Sequence, residues 1–140
     1  MILVFDTNVL ISAFLTSGPS RDVFEYAARK HQIITSSYIL GELKEKWLGK
    51  LGFSLADYRH VEKVILSSVT VKEERRGQVG DFPDKDDLPI LDLCVTVKAD
   101  FLVTRDKKIL ELGAVKYTKV IHPKDFWEIE KRTAGGEEFS

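Results

Sequence analysis

One cysteine, four prolines and three histidines among 140 residues leave several kinds of chemistry little to work with. Cys94 has no partner, so an internal disulfide is excluded and a reducing, cytoplasmic setting is expected. His31, His60 and His122 are scattered and supply no paired imidazole ligands. No apolar run nears the roughly 20 residues a membrane-spanning helix needs, so no membrane association is expected. The apolar start, Met1 to Phe5, lacks a basic leader and ends at Asp6, which argues against a signal peptide. A surplus of charge is missing too: 21 basic and 22 acidic residues give a net charge of −1. Domains that bind nucleic acid usually carry a basic excess. Binding a polyanion would therefore require cations grouped locally, apart from the acids.

What is present suffices for one domain. Hydrophobic residues make up 44% and charged residues 31%, enough for one core and a soluble surface. The expected unit is residues 1–132, with a flexible tail over 133–140 that begins at Thr133. No internal repeat is visible.

Apolar, β-prone runs alternate with amphipathic stretches. Strands are expected at Ile2–Phe5, Gln32–Thr35, Val69–Val71, Phe101–Thr104 and Lys119–Ile121. Helices are expected over Val9–Leu15, Arg21–Arg29, from a Ser36 or Ser37 cap to Trp47, and over Leu55–Leu66, Leu88–Val97 and Lys107–Leu112. Pro123 opens a closing helix to about Lys131. Lys72–Asp86, polar and punctuated by Gly77, Gly80 and Pro83, reads as a loop. Such alternation predicts an α/β fold, a parallel sheet flanked by helices. Ligands of such sheets bind at the carboxyl edge, near the point where strand order reverses.

Four acids belong to that edge. Asp6 directly follows the first strand and Asp106 the fourth. Asp87 starts the helix after the third strand, and Glu42 lies one to two turns into the helix after the second. Gathered carboxylates repel one another, and each is costly unless neutralised. A hard divalent cation such as Mg²⁺ or Mn²⁺ prefers oxygen ligands and removes that cost. Two such ions can activate a water and stabilise the leaving oxygen in phosphodiester cleavage. Each acid also has a plainer reading. Asp6, Asp87 and Asp106 each stand where a helix N-cap is wanted. Glu42 has Lys46 four residues on, an ordinary helix pair. Glu45 and Asp92 read as surface or supporting residues.

Four segments, in order, resemble the PIN-domain family, and specifically its small prokaryotic toxin-like members related to VapC. They are Val4-Phe5-Asp6-Thr7-Asn8-Val9-Leu10, Thr35 to Leu43, Pro83 to Leu91, and Ala99 to Asp106. The resemblance spans about residues 1–125. It implies a three-layer fold around a parallel five-stranded sheet of order 3-2-1-4-5, Mg²⁺ or Mn²⁺ dependence and endoribonuclease activity. It assigns Asp6, Glu42, Asp87 and Asp106 to the acidic set, with Asn8 and Thr104 as polar neighbours. Asp86 and Asp84 compete with Asp87 for the third position; Ile90, Leu91 and Cys94 follow Asp87 with helical spacing and favour it. Such toxins usually pair with a protein antitoxin and often form homodimers.

For an RNA substrate, Arg105, Lys107 and Lys108 flank Asp106, Lys44 and Lys46 share the helix of Glu42, and Lys85 lies in the acidic loop. All are candidate phosphate contacts, or simply a solvated face balancing the acids. Phe82 is the one candidate stacking platform, with core packing equally open. Competing readings are a catalytically silent RNA- or protein-binding domain, a DNA nuclease of related architecture, and a phospho-receiver-like Mg²⁺ module. The last needs an acceptor Asp after the third strand, where Lys72-Glu73-Glu74 stands instead.

Overall fold

The computed structural model describes residues 1–80 and 82–139, and from 134 onward only the backbone. Its strands are β1 (Ile2–Phe5), β2 (Gln32–Thr35), β3 (Thr70–Val71), β4 (Phe101–Val103), β5 (Ala114–Val115) and β6 (Thr118–Ile121). Its helices are α1 (Thr7–Leu15), α2 (Pro19–Lys30), α3 (Ser37–Leu48), α4 (Leu55–Ser68), α5 (Leu88–Thr96), α6 (Lys107–Leu110) and α7 (Phe126–Phe139).

The strands form one sheet of order β3-β2-β1-β4-β6-β5. β1 lies between β2 and β4, parallel to both. β3 extends one side and β6 the other, also in parallel. The reversal of strand order therefore falls between β1 and β4. The expected order holds when β6 is counted as the fifth strand. The sheet has six strands and is mixed, however, because β5 pairs with β6 antiparallel, Ala114 opposite Lys119 and Val115 opposite Thr118. Two residues carry no period, so the sequence pattern alone hides this edge strand.

Why β1 sits at the centre follows from its residues. Leu3, Val4 and Phe5 are all buried. An unbroken apolar strand suits a position covered on both faces. Burying each such side chain contributes about 1.5–3 kcal/mol. Phe5 meets Phe24 of α2 edge-on, 5.8 Å between centroids. A second cluster of Leu43, Trp47, Tyr58, Val61 and Ile65 joins α3 to α4. Hydroxyl caps fix where these helices start: Ser36 accepts from the Ile39 amide and Ser54 from the Asp57 amide. Each cap is worth about 1 kcal/mol.

For two residues of the long polar connection and its neighbouring helix the structure decides between readings the sequence left open. Phe82 is buried in the main core and is not a stacking surface. Asp92, on α5, is buried; its carboxylate accepts from the amides of Gly77, Gln78 and Val79 and so pins the connection to the helix. At the opposite end of the chain, the helical backbone of α7 runs past Thr133 to Phe139. Thr133 satisfies its hydroxyl on the carbonyl of Ile129, which keeps the turn closed. Among the described residues no helix is long and apolar enough to cross a membrane.

Candidate active site

The carboxyl ends of β1 and β4 are side by side, and the Asp6 amide donates to the carbonyl of Val103 at 2.9 Å. Asp6 is buried at 4% exposure. Its Oδ1 accepts from the Thr7 amide at 2.8 Å, capping α1. Its Oδ2 accepts from the hydroxyl of the fully buried Thr104, also at 2.8 Å. The same Thr104 oxygen accepts from the Asp106 amide at 3.0 Å. One hydroxyl thus ties the first acid to the backbone of the second. Asp106 caps α6 through Oδ1, which accepts from the Lys108 amide at 2.8 Å.

Glu42 arrives from α3. The Thr7 hydroxyl donates to its Oε1 at 2.8 Å, joining α3 to the start of α1. Asp87 stands at the start of α5, and its side chain makes no capping bond. Among the described residues, none of these four acids lies within ion-pair distance of a Lys or Arg.

Burial first, and then crowded negative charge, show in the acidities. Burial, then the charges of Asp6, Asp84, Asp106 and Glu42, push Asp87 up to about 7. Burial raises Asp6, and Asp106 adds to this, against the Thr104 and Thr7 hydrogen bonds and the charge of Lys46. Burial also raises Glu42, with further contributions from Asp6 and Asp86, while Thr7 and Lys46 oppose. These mutual effects mean the four carboxylates share one electrostatic environment. Even so, no three His, Cys, Asp or Glu side chains among the described residues are already grouped as a metal shell. The donors are all oxygens and the negative charge is in surplus, which fits a hard divalent ion. Holding one requires the carboxylates to re-aim.

The sequence pattern of the PIN domain matches residues 2–108. This chain belongs to the PIN-domain family. Its fold is similar to that of VapBC2 from Rickettsia felis, solved bound to a DNA fragment from their promoter. The identity is 18% and the TM-score 0.66, over 87% of this chain and 98% of that one. VapBC-1 from nontypeable Haemophilus influenzae matches at 16% identity and TM-score 0.63, over 89% of this chain and 99% of that one. The T. brucei RRP44 PIN domain matches at 15% and 0.52, over 99% of this chain and 84% of that one. At such identities the likeness is one of fold. A comparison with curated proteins finds no match.

Around the acids of this PIN domain, the polar neighbours divide. Thr104 is integral, bonded to both Asp6 and the Asp106 backbone. Asn8 is exposed, and its Oδ1 accepts from Lys46 Nζ at 3.3 Å. A cleft of about 530 Å³ opens beside the site, lined by Tyr38, Glu42, Glu45, Lys46 and Asp86 among others. Asp86 therefore faces this cleft with Glu42, whereas Asp84 caps a short turn by accepting from the Asp86 amide. Arg105 is exposed and donates to Ser12 Oγ at 3.1 Å. Lys107 and Lys108 are exposed in the first turn of α6. Lys44 lies over the Tyr58 ring, 6.0 Å from its centroid, turned toward α4.

Two residues escaped the sequence reading. Thr7 links Asp6's helix to Glu42, and Tyr38 donates to the Asp86 carbonyl at 2.7 Å. Burial and the charges of Glu42, Asp86 and Asp87 push Tyr38 up to about 12, so it stays a hydrogen-bond donor at neutral pH. A signal existed for Tyr38: it precedes Glu42 by four residues, one turn away on the same helix face.

Proposed function

We propose that this PIN domain is a Mg²⁺- or Mn²⁺-dependent endoribonuclease, the toxin component of a toxin–antitoxin pair. The observation that carries this reading is the gathering of four acids, from four separate segments, at one rim of the sheet, with no Lys or Arg among the described residues paired to them. Asp6, Glu42, Asp87 and Asp106 would hold the metal. When bound, the metal would supply water activation and neutralise charge at the leaving oxygen. The protein's own part is positional. Thr104 fixes Asp6 and the backbone of Asp106, Thr7 fixes Glu42, and Asp87 is left ready to meet a cation. Arg105, Lys107 and Lys108 stand beside Asp106 to receive phosphates of the strand.

The names of two fold neighbours, VapBC2 and VapBC-1, support an antitoxin as partner. A homodimer and a cytoplasmic setting belong to the same proposal; the buried, unpaired Cys94 suits a reducing compartment.

Assorted RNAs incubated with Mg²⁺, Mn²⁺ or EDTA test the reading, with Asp6→Asn as control. Asparagine keeps an oxygen for the Thr7 amide, and the Thr104 hydroxyl can rotate to accept from its NH₂. The variant should fold and lose cleavage. Undiminished cleavage by a folded Asp6→Asn protein refutes the assignment. The lack of a ready-made three-ligand group among the described residues favours one second reading, a catalytically silent RNA-binding domain. That reading predicts RNA binding with no metal-stimulated cleavage.

A further inference from the structure

A second basic feature lies at the other edge of the sheet. The turn from α5 into β4 and the tip of the β5–β6 hairpin both sit at the amino ends of parallel strands, away from the acidic rim. Between them opens a cleft of about 400 Å³ whose lining includes Arg75, Gln78, Lys98, Lys116 and Tyr117 and no acid. Among the described residues none of its three cations makes an ion pair. Arg75 is anchored there, its amide donating to Thr96 Oγ1 at 2.9 Å. Tyr117 is 84% exposed, the most open of the large apolar side chains described.

The backbone adds an independent observation. Lys98 and Lys116 have φ of 54° and 52°, and they are the only described non-glycine residues with positive φ. Side chains other than glycine are disfavoured there. Strained positions of this kind cluster where a site needs a particular side chain. A lysine past a helix end also suits the helix dipole, which would account for Lys98 alone. Lys116 opens the two-residue β5–β6 hairpin loop, where primed turns call for positive φ and favour Gly, Asn or Asp, yet a lysine stands there, in the same cleft. Three unpaired cations around an exposed ring match what a single strand offers, phosphates for the cations and a base for the ring.

We propose that the cleft bounded by Arg75, Lys98, Lys116 and Tyr117 binds single-stranded RNA at a point remote from the acidic rim. The choice of RNA rests on the function proposed above. The geometry makes the cleft an exosite, holding a length of strand other than the one being cut.

Binding of a fluorescent single-stranded RNA of mixed sequence, measured in EDTA across a range of salt, tests this. The informative variants are the double substitution Lys98→Gly with Lys116→Gly, and Tyr117→Ala. Glycine relieves the left-handed backbone, so the double variant should unfold at a temperature no lower than the parent. Its affinity should fall, and its slope of log affinity against log salt should shrink by about 0.7 for each lysine lost. Tyr117→Ala should bind about 5- to 100-fold more weakly with its salt slope unchanged. Parental affinity in either variant overturns the proposal. Because binding is read without metal, a protein that never cleaves RNA would sink the catalytic reading and leave this result standing.

Discussion

Replacing Asp87 by Asn should make the protein more stable at pH 8, the reverse of what removing a helix cap would do. Asp87 is raised from 3.8 to about 7 by burial and by the charges of Asp6, Asp84, Asp106 and Glu42. The folded pKa lies above the unfolded one, so the unfolded chain releases its proton first. Stability is therefore lost as pH climbs from the ordinary carboxylate range to about 7, and the loss is complete above that. In a fully buried group a rise of that size would correspond to ~4 kcal/mol. Asp87 is only half-buried and solvent screens it, which leaves ~1–2 kcal/mol. Asparagine is nearly isosteric, carries no charge and forfeits no bond, because the Asp87 side chain makes no capping contact. At pH 8 in EDTA the variant should melt about 3–8 °C higher than the parent, given the entropy of unfolding of a domain this size. Near pH 4 the difference should shrink to a few tenths of a kcal/mol, since Asp87 is then protonated when folded. Differential scanning calorimetry at the two pH values reads both. Adding Mn²⁺ at pH 8 should raise the parent's melting temperature more than the variant's, because an ion that binds only the folded protein stabilises it. A melting temperature at pH 8 equal to or below the parent's would refute the reasoning and leave Asp87 a structural residue.

Thr104→Val removes the donor to Asp6 Oδ2 and the acceptor for the Asp106 amide, so it should cost about 1–3 kcal/mol in urea unfolding, with Thr104→Ser restoring most of it. Glu42→Gln keeps an oxygen for the Thr7 hydroxyl, so melting should hardly change while the Mn²⁺ concentration for half-maximal cleavage rises about tenfold or more. Asp92→Ala strips the acceptor from three amides; hydrogen exchange at Gln78 and Val79 should accelerate while the core strands stay protected.

The strands that place the rim were legible because they are apolar, bounded by turn signals and separated by helical periods. Asp6 and Asp106 could be put side by side once β1 and β4 were read as neighbours at the reversal point. What remained hidden is short or depends on side-chain direction. β5 is too brief to show a period, and only its pairing with β6 reveals it. The sequence leaves Phe82 equally open to core packing and exposure, and the structure puts it in the core, three residues after the Val79 amide that Asp92 holds. Asp92 reads as either a surface or a supporting acid, and the amides of the preceding connection that converge on it decide for support. Lys44 and Lys46 are alike in sequence, but their positions on α3 turn one toward Tyr58 and the other toward Asn8.

For each acid, helix capping and metal binding look like rival explanations, but a carboxylate has two oxygens and a cap uses one. Asp106 caps α6 through Oδ1 alone, and Glu42 receives Thr7 at Oε1 alone. Asp87 uses neither oxygen, and among the four only Asp6 engages both. The burial of Asp6 and its double engagement make it the fixed member of the set, around which the others keep an oxygen to spare. Capping serves such a site by holding a charged group in place without consuming its charge. It follows that alanine substitutions here confound the two roles, since they remove the cap and the charge together. Asparagine or glutamine keeps the capping oxygen and removes the charge. A loss of cleavage without loss of stability in Asp106→Asn would therefore separate what position alone cannot, and a matched loss of both would mean that the carboxylate serves only the helix.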